Sequence, residues 1–200
     1  MDNDKIDEIL SELVKFASSF QISLGKESER GSAIICVTLM EDSLYRLIKA
    51  KLAPSPERKD ELFDSGYAPL GSFSSKIDLA YRIGLISLEQ KSSFHLIRKI
   101  RNEFAHSSEE INFESAIIKD RIRELFRLNR GLLNIIGDAK KSELKNDNAL
   151  SKDLGQGMDY IVKKAGWRAV YELLGSTLAA GIQIRCNQIQ QMEPLRIETN

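Results

Sequence analysis

Cysteine is scarce in this 200-residue chain: there are two, Cys36 and Cys186, far apart and in no spaced motif. That excludes a disulfide framework or a zinc site, which need more ligands at closer spacing. Each sits among apolar residues, as a packing side chain would. There are only two histidines, His95 and His106, and no metal-ligand cluster can be read. A Gly-rich phosphate loop and a Ser-His-Asp set are also missing, so no metal and no cofactor is expected. There is no excess of charge: Lys+Arg is 29 and Asp+Glu is 29. A dedicated duplex-DNA binder usually carries surplus cations, because phosphate neutralisation supplies most of its affinity. No apolar run reaches the ~20 residues of a membrane span. The most apolar stretch, Ala169 to Ile184, is interrupted by Glu172, Ser176, Thr177 and Gln183. Met1 to Glu12 is acidic and lacks a basic n-region, so no signal peptide is read and the expected compartment is the cytoplasm, away from membranes.

What remains is helical. Apolar residues are 42% of the chain, enough to build a core, and they recur at three and four rather than two. A first helix spans about Asp4 to Leu24, with Ile6, Leu10, Leu13, Phe16 and Phe20 in line and Gly25 at its stop. The second runs from about Glu29 to Leu52. Its broad stripe of Ile34, Val37, Leu44 and Ile48, widened by Cys36, Leu39, Met40 and Leu47, predicts a central position. Pro54 and Pro56 end it. Residues 53–71 form a long irregular stretch, in which Leu62 and Phe63 could make a turn that packs down. Such a loop is either functional or a plain connection. A third helix begins near Ser72 to Ser74 and ends at Gly84. Ser87 and Gln90 form a capping box that starts a fourth, reaching about Ala105 with Phe94, Ile97, Ile100 and Phe104 on one face. A fifth starts at Asn112 or Ser115 and runs to about Ile136. The last, about 158–192, carries Trp167, Tyr171, Leu174, Leu178 and Ile182. The expected architecture is an all-α bundle of five to six main helices in one domain. Its core covers about 4–137, a polar linker 138–157, and a long C-terminal helix closes the bundle or pairs with a second copy.

The end of the fourth helix carries the chemistry. Arg101 falls beside Ile97 and Phe104, toward the apolar face, while Asn102 and His106 share a face four residues apart. A cation drawn toward a core needs a partner. Glu41, inside the stripe of the second helix, and Asp42 beside it are the carboxylates available to Arg101 or His106. Such a pair would set helix register. Alternatively, the arginine and histidine would be functional.

Arg101, four residues, then His106 matches the Arg-x(4–6)-His pattern of HEPN domains, and the polar Asn102 after the arginine fits as well. HEPN domains are helical bundles, many of them metal-independent ribonucleases with this motif at a dimer interface. The resemblance implies an up-and-down core, His106 in acid–base chemistry, Arg101 on the phosphate, Asn102 orienting the site, and Glu41 or Asp42 in support. A longer resemblance runs over about 29–137, through Arg30-Gly31-Ser32-Ala33, Leu70 to Tyr81, and Gly84-Leu85-Ile86-Ser87 leading into His95 to His106. These segments resemble the mannitol operon repressor family. That resemblance implies negative control of transcription of a sugar-alcohol operon, with Arg30, Phe73, Ser74, Asp78, Arg98 and Arg101 in the shared surface. Family members lack an evident DNA-reading module, and direct DNA binding is doubtful here too. The third and fourth helices carry their charge late, at Arg98, Lys99 and Arg101, whereas a recognition helix meets bases with its N-terminal part. On the fifth helix Asp120 and Glu124 interleave with Lys119, Arg121, Arg123, Arg127 and Arg130, a mixed solvated face. The expected partners are a protein of transcription control and a second copy of the chain, with RNA in the ribonuclease reading. A small-ligand sensor with the 53–71 loop as lid is a third reading.

Overall fold

The structure, a computed structural model, describes residues 3–64, 67–106, 110–143 and 157–194, with the backbone alone for 3–7 and 134–143. Local chemistry sets the helix ends. The helix α1 spans Asn3–Gly25 and α2 spans Glu29–Lys51. Ser28 caps α2, its Oγ accepting from the Gly31 amide at 3.0 Å. Leu52 turns extended ahead of Pro54 and stops the helix. The helix α3 spans Phe73–Arg82 behind a reciprocal Ser72/Ser75 capping box. The helix α4 spans Leu88–His106 behind the expected box, in which Gln90 N donates to Ser87 Oγ at 3.2 Å and Ser87 N to Gln90 Oε1 at 2.9 Å. Gly84, at φ 72°, makes the tight α3–α4 turn in a conformation side-chain-bearing residues avoid. The helix α5 spans Ala116–Glu143, and α6 spans Met158–Gln188.

Thus the molecule is an all-helical bundle, with no strand among the described residues. Also among these residues, no helix is long and apolar enough to cross a membrane. The expected stripes are the buried faces. Leu13 in α1, Val37, Leu44 and Ile48 in α2, Ile77 in α3, and Ile97 and Ile100 in α4 are all in the core, as are Ile118, Ile122 and Leu125 in α5. Tilted rings of Phe104, Phe113 and Tyr171 link α4 to α6 through the centre, with centroids 4.9 and 5.2 Å apart. Every residue from Val170 to Ala180 is buried, because α1 and α2 pack on α6 from two sides and α5 touches it as well. The broad face of the last helix therefore closes the bundle and is not left for a second copy. Gly175 makes this approach possible: a Cβ there would overlap Cys36 Sγ.

Three expectations need correction. Ile34, placed in the buried stripe, is 37% exposed. α3 reaches α2 at Glu41, nearly two turns further on. The fifth helix continues through 138–143, read as linker, to Glu143, and the remaining linker residues 144–156 lie outside the described residues. The last helix is broken at Gly166, whose φ of 83° and ψ of 172° are not helical.

Candidate functional site

The start of α2 runs beside the end of α4. Arg30 ties them, its Nη2 donating to the Ala105 carbonyl at 2.9 Å, a last-turn oxygen that a cation suits. One turn before Ala105 lies Arg101, and a further turn back Arg98. Both are half-buried. Their Nε atoms are buried and have no hydrogen-bond acceptor, and they are the only such side-chain atoms among the described residues. A buried donor left unmet is unfavourable by ~1–3 kcal/mol. Asn102 is half-buried beside them, and His106 is exposed at the helix end.

No carboxylate of α2 or α4 forms an ion pair with Arg98 or Arg101. Glu41, expected to pair with Arg101 or His106, instead accepts from the buried Lys76 of α3 at 2.7 Å. Asp42 is exposed and pairs with Arg46 one turn along its own helix at 2.8 Å. Glu29 accepts from the Phe113 amide at 3.0 Å, Glu103 from Arg121 at 2.7 Å, and Glu89 from Ser87 at 2.8 Å. The register-setting pair is thus Glu41–Lys76, and Arg101 has no part in it. The physical reason is position: α3 crosses α2 at Glu41, whereas Arg101 lies toward the other end of α2, where Arg30 bridges the two helices.

The other expected residues fall into a second group around α3. Phe73 is buried with its ring 6.4 Å from Phe94, so it packs the core. Ser74 is half-buried in the first turn of α3. Asp78 is exposed and holds Lys91 at 2.8 Å and His95 at 3.7 Å. The Lys91 hydrogen bond keeps the Asp78 carboxyl below its ordinary range. Burial lowers His95 from its usual value, against the pull of Asp78. The structure therefore separates Asp78 from Arg101 and His106 and groups Arg30, Arg98, Arg101, Asn102 and His106 along the α2–α4 seam. The mixed face of α5 is as expected: Arg123 pairs with Asp120, Arg127 with Glu124, and Lys119 with Glu114.

A buried polar cluster beneath the seam was not foreseen. Glu172, 7% exposed, accepts from Ser32 Oγ at 2.8 Å and from Arg168 Nε at 2.7 Å. Arg168 Nη2 also donates to the carbonyls of Leu24 and Glu27, at 3.0 and 2.7 Å, and so finishes α1. Its signal was a glutamate inside an apolar run with an arginine four residues before it. Nearby, Tyr171 donates to the Ala33 carbonyl at 3.3 Å and lies against Cys36. Burial pushes the Cys36 thiol up to about 12 and Tyr171 well above its ordinary value. The charge of Arg101 acts on Tyr171 in the opposite sense, which puts the guanidinium within electrostatic reach of this centre.

The 53–63 loop frames an open cavity of about 630 Å³, with Leu52, Pro54, Arg58, Asp60 and Phe63 in its wall. Phe63 packs down as expected, edge-on to Tyr45 at 4.9 Å, while Leu62 is 44% exposed. Gln191 closes one side, its Nε2 donating to the Leu52 carbonyl at 3.1 Å. Among the described residues no group of three or more His, Cys, Asp or Glu side chains is placed to hold a metal. Compared with known proteins, the chain matches no family model, no curated protein and no solved structure.

Proposed function

We propose that this chain is a negative regulator of transcription of the mannitol operon repressor type, working through protein contacts rather than by reading DNA. The observation that carries the reading is the cationic seam. Arg30, Arg98 and Arg101 stand along one α2–α4 edge, and every carboxylate on those two helices is engaged elsewhere. An arginine kept half-buried with no ion pair among the described residues is suited to a partner that brings a carboxylate. Groove reading is disfavoured by the packing of α4. Ser93 and Phe94, in the half of the helix that would meet bases, are buried, and Lys91 and His95 there are held by Asp78.

The test is transcript profiling in cells of the source organism lacking the gene. Complementation with wild type should restore repression of a small set of operons, and Arg101→Gln should not. Purified protein should leave the corresponding promoter DNA unshifted at physiological salt. A shift that survives sequence-nonspecific competitor DNA would refute action through protein contacts.

A second reading is favoured by the same unpaired Arg101 together with the exposed His106 one turn later: a HEPN-type ribonuclease or an inactive RNA-binding relative. There Arg101 would steady charge on the scissile phosphate, His106 would move the proton, and the seam would face a second copy of the chain. Cleavage of a mixed RNA pool in EDTA by wild type, lost in His106→Ala, is the result that reading requires.

A further inference from the structure

We infer that the α2–α4 seam is a receptor for an acidic segment of a partner protein that also carries an aliphatic side chain. This rests on the regulator reading above and names the chemistry of its partner. Guanidinium groups present forked donors that match carboxylates two bonds at a time. Arg98 and Arg101 lie on adjacent turns of α4, and Arg30 enters the same edge from α2 through its bond to the Ala105 carbonyl. Among the described residues the buried Nε donors of Arg98 and Arg101 find no acceptor.

An exposed apolar residue follows Arg30 on α2. Ile34, one turn after Arg30 on α2, is 37% exposed, and Thr38, a turn further, is exposed as well. Arginines on the α2–α4 edge, with an exposed isoleucine one turn from Arg30, suit a peptide that alternates carboxylates with a leucine or valine. Single-stranded RNA is the competing occupant, because phosphates also satisfy guanidinium groups. It fits less well. RNA readers stack bases on several exposed rings, and here Phe104, Phe113 and Tyr171 are 3%, 1% and 0% exposed, which leaves the imidazole of His106 as the exposed ring of the seam. Nor does the chain carry surplus positive charge to hold a long phosphate backbone.

The experiment is fluorescence anisotropy on the full chain with three labelled probes: a 16-residue peptide of repeated Glu-Glu-Leu, its Gln-Gln-Leu counterpart, and a 16-nucleotide uridine RNA. The acidic peptide should bind at least tenfold more tightly than the other two. Arg98→Gln and Ile34→Ser, both at partly exposed positions, should each weaken it at least fivefold without lowering the melting temperature. Arg127→Gln, on the mixed face of α5, should leave it unchanged. Tighter binding of the RNA, or equal binding of the Glu and Gln peptides, would overturn the inference. Peptide binding that is indifferent to both seam variants would do the same. The two readings separate in cells. Regulation that persists in Arg98→Gln and Ile34→Ser refutes the seam as the docking site and leaves the regulator reading standing. Peptide binding by a wild-type protein that controls no transcript refutes the regulator reading alone.

Discussion

Replacing Arg101 with methionine should make the isolated protein more stable. In a bundle where Arg101 paired with a buried glutamate, removing it would strand a charge and be destabilising by ~3–5 kcal/mol. The structure gives the opposite sign. Glu41 is engaged by Lys76, and Arg101 contributes a buried Nε without an acceptor. Methionine keeps most of the apolar stem of this half-buried side chain and removes the unmet donor. Relief of that donor is worth ~1–3 kcal/mol, offset in part by packing lost at the guanidinium, so a net gain of about 1 kcal/mol is expected. For a chain of this size that raises the melting temperature by roughly 2–4 °C. Urea unfolding should show a higher midpoint at unchanged m-value. Arg121→Met is the control. Its guanidinium holds Glu103 at 2.7 Å and the Lys99 carbonyl at 3.1 Å, so the same substitution there should lower the midpoint. A loss of more than about 1 kcal/mol in Arg101→Met, a size that points to a stranded charge, would refute the reasoning, since it would mean that the arginine has a counter-charge within the fold.

Other outcomes follow from the buried centre. Arg168→Met should be destabilising by ~3 kcal/mol, since it strands the Glu172 carboxylate and uncaps α1. The double variant Arg168→Met/Glu172→Met should recover part of that in a thermodynamic cycle, and no recovery would argue against the pair. Gly175→Ala should be destabilising by ~1–3 kcal/mol through overlap with Cys36 Sγ, and Cys36→Ala in the same chain should restore most of it in urea titrations. With the Cys36 thiol held at about 12 in the folded state, the unfolded chain releases this proton first as pH rises. Stability should therefore fall above about pH 9, by up to ~1.4 kcal/mol per pH unit from this group. Cys36→Ala should flatten that slope in melting curves run from pH 8 to 11. Gly166→Ala should be destabilising by ~1–3 kcal/mol, because φ 83° with ψ 172° is accessible essentially to glycine alone. An unchanged melting temperature would mean that the break can be straightened at no cost.

The helices and their inward faces were legible because periodicity and capping are local. Ser87 and Gln90 show this plainly, as do Val37 and Leu44. The choice of partner for Glu41 was not legible, because it depends on how far α3 slides along α2. The hint was there: Phe73, Lys76, Ile77 and Ala80 recur at three and four, which places a lysine on the inward face of α3. The break at Gly166 escaped for a different reason. A lone glycine inside an apolar pattern is compatible with an intact helix, and its backbone angles decide otherwise. Of the candidate site, the sequence singled out the residues at the end of α4 and Arg30 at the start of α2. It did not show that Ile34 would be left open, since this depends on where α3 crosses α2.

The embrace of α1 by α6 is the most extensive helix pairing among the described residues, and it joins helices more than a hundred residues apart in sequence. During synthesis, α1 emerges with an apolar stripe whose main cover is more than a hundred residues from being made. Until then Leu13 and Leu24 must be shielded by transient neighbours or by chaperones. A stall or a nonsense codon before Met158 would leave that stripe open however well α2 to α5 had assembled. Completion of α6 is thus a check on the message up to that point, and a fragment that fails it would carry its own exposed tag for disposal.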